Sequence, residues 1–284
     1  MGPAMHSLLR AFRRDKTRVR TRVPQGVYVG DGRVLTTTVS GQRLFVDARD
    51  LSLSPGLILD GSWEPHVTQA LTTLVKAGMT VIEIGANVGY FTTLLGRLVG
   101  GQGCVRAFEA NPAVFDLLAE NIDINGLVPF VRAEPMLVCD TCGERQINLL
   151  ERHHGSGSML SFGDEFLALY REKKTTVAVP ATTLDEYWRG EARAIDLVKI
   201  DAEGSESMIL DGMRGILAQP HLTVVCEFVK PFFAGREPSA QGFLDALLAY
   251  GFALCKITDS GDIAPVSSHE VLAGPNSAEL VFTK

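Results

Sequence analysis

VIEIGANVGYFT, residues 81–92, is the stretch that decides how this chain is read. Val81 to Ile84 is a short apolar run with β-branched residues, the pattern of a strand buried on both faces in a parallel sheet. Gly85-Ala86-Asn87-Val88-Gly89 then reads as a turn. A helix is predicted from about Tyr90, with Leu94, Leu95 and Leu98 on its inner side. Strand, glycine turn and helix together hold a nucleotide: glycines let the ligand approach the backbone, and the helix N-terminus offers unpaired amide N–H groups.

A second stretch supports this reading. Cys104 to Phe108 reads as the next strand, and Glu109 sits at its end, 24 residues after Gly85. An α/β nucleotide site places there the carboxylate that accepts the ribose hydroxyls. Asn111-Pro112 opens a helix, Asn as N-cap and Pro at the first helical position. A dinucleotide fingerprint needs glycines at the first, third and sixth turn positions, and those hold Gly85, Asn87 and Tyr90. The glycine that admits a pyrophosphate is missing, which disfavours nicotinamide or flavin.

The rest of the chain sets the frame. Its 284 residues suffice for one large domain with an appendage, and 46% apolar and 21% charged residues are ordinary for a globular protein. A net charge of −6 argues against a general nucleic-acid binder, and no apolar run is long enough for a membrane span. Five scattered cysteines do not make a disulfide framework. Cys139-Asp-Thr-Cys142 is a lone CxxC with no second pair or nearby His ligands, so a reduced, cytoplasmic setting is expected.

Three segments are expected: a basic tail (1–22), a β-rich N-terminal cap (23–60) and the nucleotide domain (61–284). In the tail seven Arg and Lys residues face one acid, Asp15, and no apolar core of a secretory signal is present. In the cap, short β-type runs alternate with Gly-rich turns, as in an antiparallel sheet. Such a cap commonly supplies a wall of a substrate cleft or a dimer contact. Beyond it, strands alternate with amphipathic helices, which predicts a Rossmann-like, mostly parallel seven-stranded α/β sheet flanked by helices. Ligands then sit at the carboxyl ends of the strands, where Glu109, Asp201 and Glu227 fall. Residues 151–163 (ERHHGSGSMLSFG) break all periodicity and read as an active-site loop.

The E-x-G-x-N-x-G pattern of Glu83 to Gly89 resembles the first motif of class I S-adenosylmethionine (SAM) methyltransferases. With Gly78 to Thr92, Phe108 to Pro112, Glu120 to Leu127 (ENIDINGL), Thr183 to Tyr187 and Ile195 to Gly212 (IDLVKIDAEGSESMILDG), the chain resembles the FkbM family over about residues 60 to 284. The resemblance implies SAM as cofactor. It implies that Glu83, Gly85, Ala86, Asn87, Gly89 and Tyr90 line its methionine and ribose part, with Glu109 on the ribose hydroxyls and Ala110 and Asn111 beside it. It further implies O-methylation of sugars, polyketides and related natural products.

Methyl transfer to a sugar hydroxyl needs the oxygen held in line and its proton removed, by a base or with the help of Mg²⁺ or another divalent ion. Asp201, Glu203, Glu227, His153 and His154 are the candidates, and Asp201 with Glu227 are the candidate metal ligands. Arg152, the two histidines, Ser156 and Ser158 give the presumed loop a polar lining, which points to a sugar or oligosaccharide acceptor over a flat apolar one. Oligomeric state is left open, a homodimer being only the commonest arrangement.

Overall fold

The computed structural model describes residues 26–153, 155, 157–159, 167–168 and 171–284; the basic segment 1–22, His154 and Ser156 lie outside them. The chain opens with an antiparallel sheet of β1 (Val27–Gly30), β2 (Arg33–Thr37) and β3 (Arg43–Asp47), the β-rich cap. A short helix, α1 (Ser54–Leu59), closes it, and α2 (Pro65–Leu74) leads into the main domain. There β4 (Thr80–Ile84), α3 (Tyr90–Val99), β5 (Cys104–Phe108), α4 (Pro112–Ile124) and β6 (Val131–Glu134) follow in order. A smaller sheet comes next, from β7 (Leu137–Val138), β8 (Gly143–Leu150) and β9 (Lys174–Thr182). The main sheet resumes through α5 (Leu184–Tyr187), β10 (Leu197–Ile200), α6 (Glu206–Asp211), α7 (Arg214–Leu217) and β11 (Thr223–Val229). It ends with α8 (Ala240–Ala249), β12 (Ala253–Ile257), β13 (Ile263–Pro265), α9 (Ser268–Ala273) and β14 (Ser277–Thr283).

The main sheet runs β13-β12-β14-β11-β10-β4-β5-β6, parallel from β11 to β6 and antiparallel at the other edge. It has eight strands, not the expected seven: the three-residue β13 pairs with β12 at the edge, too short and too near a turn to show alternation in sequence.

Side-chain alternation sorts the core. Val81, Val105, Leu197, Val225 and Val281 face α2, α3 and α4, while Ile82, Val198, Val224, Phe228 and Phe282 face α6, α7 and α8. On the first face the apolar rows stop at the carboxyl ends of the central strands. Glu83 and Lys199 lie in register there, and Asp201 and Glu227 follow as β10 and β11 run out.

The cap is tied to this face by helix α4. The Asn121 side chain accepts from Phe45 N (2.6 Å) and donates to Phe45 O (2.9 Å) and to Val88 O (2.7 Å). One turn later Asn125 pairs in the same way with Arg43, accepting at 3.0 Å and donating at 2.7 Å. Two amides thus extend the β3 ladder onto a helix, which accounts for the asparagines of ENIDINGL. Among the described residues no helix is long and apolar enough to cross a membrane.

Candidate active site

The glycine turn is shaped by a close backbone approach. Gly85 has φ +81°, and a Cβ there would lie 1.7 Å from the carbonyl oxygen of Asp201, so β10 passes directly against the turn and only glycine fits. The amides of Gly85 and Ala86 both donate to Phe108 O, at 3.0 and 2.9 Å. Asn87 follows at φ +50°, its Oδ1 accepting from Val88 N at 2.7 Å. Gly89 starts α3 at φ +89° against Leu118.

Glu109 is fixed before any ligand arrives. One carboxylate oxygen accepts from Asn87 N (2.8 Å) and the other from Asn111 N (2.7 Å). Burial pushes its pKa up, and these amides pull against that without cancelling it. Each oxygen keeps further acceptor capacity. Asn111 caps α4 by accepting from Ala113 N at 3.2 Å.

Behind the turn lies a buried ion group. Glu83 is 1% exposed; one oxygen accepts from Thr92 Oγ1 at 2.6 Å, and the other has no partner. Burial pushes it up to about 7, against the pull of Lys199 and Thr92. Lys199 places its ammonium 3.0 Å from Asp201 Oδ2 and 4.7 Å above the Phe91 ring. Burial opposes its charge, but Asp201, Glu83 and Glu64 outweigh that and hold it above the ordinary lysine range.

Between the turn and this cluster lies a cavity of about 330 Å³. Its turn side is Gly85, Ala86, Asn87, Tyr90, Glu109, Ala110 and Asn111, and its cap side Ser52 and Leu53. Gly155, Gly157, Ser158 and Met159 of the irregular loop form another wall, anchored where Ser158 Oγ donates to Glu203 O at 2.6 Å. The acid side is Glu64, Asp201, Glu203 and Glu227, and Trp63, Phe91, Met136, Val138 and Ile147 fill apolar positions. Burial, then the charge of Asp201, pushes Glu203 up to about 9 and Glu227 up to about 8. The same two causes raise Glu64 to about 7.

The expected site residues divide accordingly. Gly85, Ala86, Asn87, Tyr90, Glu109, Ala110, Asn111, Asp201, Glu203 and Glu227 meet around one cavity, whereas Glu83 and Gly89 are not among its lining residues. His153 does not line it either: its Nδ1 lies 2.5 Å from Oε1 of the buried Glu172. His154 lies outside the described residues. Among the described residues no group of three or more His, Cys, Asp or Glu side chains is arranged to hold a metal ion, and Asp201 Oδ2 is engaged by Lys199. The donor set as it stands does not fit the expected divalent ion.

Glu64 was missed. In sequence it is only the residue before Pro65, opening a helix. In space it stands at φ +41° and turns into the cavity. Nothing local signals that; a residue before proline ordinarily takes an extended conformation.

Residues 83–254, more than half of the chain, match the family model described as the methyltransferase FkbM domain. The chain is 25% identical over 190 residues to methyltransferase sdnD of Sordaria araneosa, covering 58% of this chain and 71% of that protein. A shorter match, 34% over 64 residues, is to a protein-L-isoaspartate O-methyltransferase of Methanococcoides burtonii, covering 22% of this chain and 32% of that one. Among solved structures, a methyltransferase FkbM from Methylobacillus flagellatus is similar at TM-score 0.47 and 12% identity, covering 75% of this chain and 47% of that one.

Proposed function

The chain belongs to the FkbM family of SAM-dependent methyltransferases, and on that premise we propose that it methylates a hydroxyl group of a sugar or glycoside. The observation that carries the choice of oxygen is the pair Glu203 and Glu227, facing the same cavity as the glycine turn and held up to about 9 and about 8. A hydroxyl is a weak acid, and a carboxyl group of raised pKa is the stronger base for it in the fraction that is ionised, a fraction that grows as pH rises toward 8 and 9.

The chain's residues fit the cofactor. Gly85 and Ala86 leave the backbone open to the cavity, and Glu109 offers its remaining acceptor sites at the strand end, where two vicinal hydroxyls would sit. SAM supplies a methyl group already activated by its sulfonium. The ionised form of Glu203 or Glu227 would orient the acceptor oxygen and take its proton, while SAM would supply the methyl group and leave as S-adenosylhomocysteine. The Lys199 ammonium, 3.0 Å from Asp201 Oδ2, occupies that carboxylate, which leaves Glu203 and Glu227 as the groups that take the acceptor's proton.

A second reading, a polyketide or other secondary metabolite as acceptor, is favoured by the apolar flank of Trp63, Met136, Val138, Ile147 and Met159. Calorimetric titration with S-adenosylhomocysteine, with NAD as control, tests the cofactor: one site per chain is expected, and tighter NAD binding would overturn the reading. Transfer from methyl-labelled SAM to paired sugar and polyketide acceptors separates the two acceptor classes.

A further inference from the structure

A second cavity, of about 400 Å³, adjoins the first, and Glu64 and Glu227 line both. Its volume lies within the roughly 300–1,000 Å³ of small-molecule sites. Its own walls are Glu279 on β14, Lys256 to Asp259 at the end of β12, and Pro275, Ser277 and Ala278. Glu227 and Glu279 are direct partners across the β11–β14 ladder, two carboxyl groups side by side on one sheet face. Ionised together, such a pair is destabilising. Asp259 adds another carboxylate.

Glu64, Glu227 and Glu279 make no side-chain hydrogen bond or ion pair among the described residues, and the buried Lys199 is committed to Asp201. Lys256 is exposed, and His66 stands at the wall. Glu279 is strongly desolvated; burial and then Asp201 and Glu64 raise its pKa well above the carboxylate range. Glu64 holds a left-handed conformation rare for a residue before proline, and strain of this kind is retained where it places a working group.

We propose that the second cavity is an acceptor subsite for a protonated amine, which sits between Glu64 and Glu279 while the reacting hydroxyl reaches past Glu227 into the first cavity. An ammonium brings three donors and no acceptor to a wall of carboxyl groups, and its charge lets them ionise together and release their protons. A neutral polyol satisfies the oxygens but does not favour their ionised forms. The acceptor is then an amino sugar or an amine-bearing glycoside, which rests on the methyltransferase reading above.

The test uses the full chain saturated with S-adenosylhomocysteine and two matched disaccharides, N,N′-diacetylchitobiose and its fully deacetylated form. Calorimetry should show the cationic sugar bound about tenfold more tightly. That preference should fall below about threefold in Glu279→Gln and persist in Glu191→Gln, an exposed control for general attraction to an acidic protein. Equal binding, no binding of either sugar, or a preference untouched by Glu279→Gln in a variant of wild-type Tm overturns the proposal. Failure of S-adenosylhomocysteine to bind the wild type would instead remove the methyltransferase reading.

Discussion

The two ends of the main cavity are built on opposite terms. At the turn end the polar groups are partnered within the chain: Gly85 and Ala86 donate to Phe108, Glu109 takes the amides of Asn87 and Asn111, and Asn121 holds Val88. At the acid end Glu64, Glu203 and Glu227 share one wall without such partners, and each is pushed above its ordinary pKa. The turn end is preorganised: its polar groups are already satisfied, and its shape is set by the chain alone. The acid end holds unfavourable electrostatics that a substrate or a proton relieves, as expected where chemistry occurs.

Several changes would break or sharpen this contrast. The largest effect is expected from Gly85→Ala. Its Cβ meets the Asp201 carbonyl, so binding of S-adenosylhomocysteine should be lost and Tm should fall steeply. Gly100→Ala, also at positive φ but with nothing within 4 Å, should cost only about 1 kcal/mol. Next, Glu203→Gln and Glu227→Gln should lower kcat by about 10²–10⁴ for whichever is the base, leaving cofactor affinity within about threefold. Glu109→Ala should weaken S-adenosylhomocysteine by about 1.5–3 kcal/mol, roughly ten- to hundredfold in a calorimetric titration.

The acid end also sets a pH dependence of stability. Because Glu203 and Glu227 are raised from 4.5 to about 9 and about 8, the native protein keeps protons that the unfolded chain has released. Their contribution to stability is therefore present below pH 4.5 and is lost as pH rises through 8 and 9. Thermal melts should show this decline, and Glu203→Gln should raise Tm by about 2–4 °C at pH 9. The smallest effect is expected from His153→Ala: its ring is turned to Glu172, so methyl transfer should change less than about threefold. A larger loss would bring that side chain back into the site.

What could be read in the sequence tracks this division. The turn end is local: strand, glycine turn, Glu109 and the Asn111 cap lie between residues 80 and 111, and their spacing gives their arrangement. The strand-end acids Asp201 and Glu227 were legible for the same reason, since alternation placed them at carboxyl ends. Glu64 and Glu279 were not. One reaches the site through a left-handed residue before a proline, and the other through an antiparallel strand laid beside β11. His153 misled because a histidine in a polar loop looks free, and only the tertiary structure shows Glu172 beside it. The strand β13 escaped because three residues carry no period.

The Asn121 side chain has a consequence for assembly. It joins Phe45, 76 positions earlier, to the turn that begins at Gly85, so the binding seat depends on a contact of long loop closure. During synthesis the cap and the turn both leave the ribosome before residue 121 does. Until that helix arrives, the turn lacks its tether. The turn's final shape is then expected late, together with the docking of the cap.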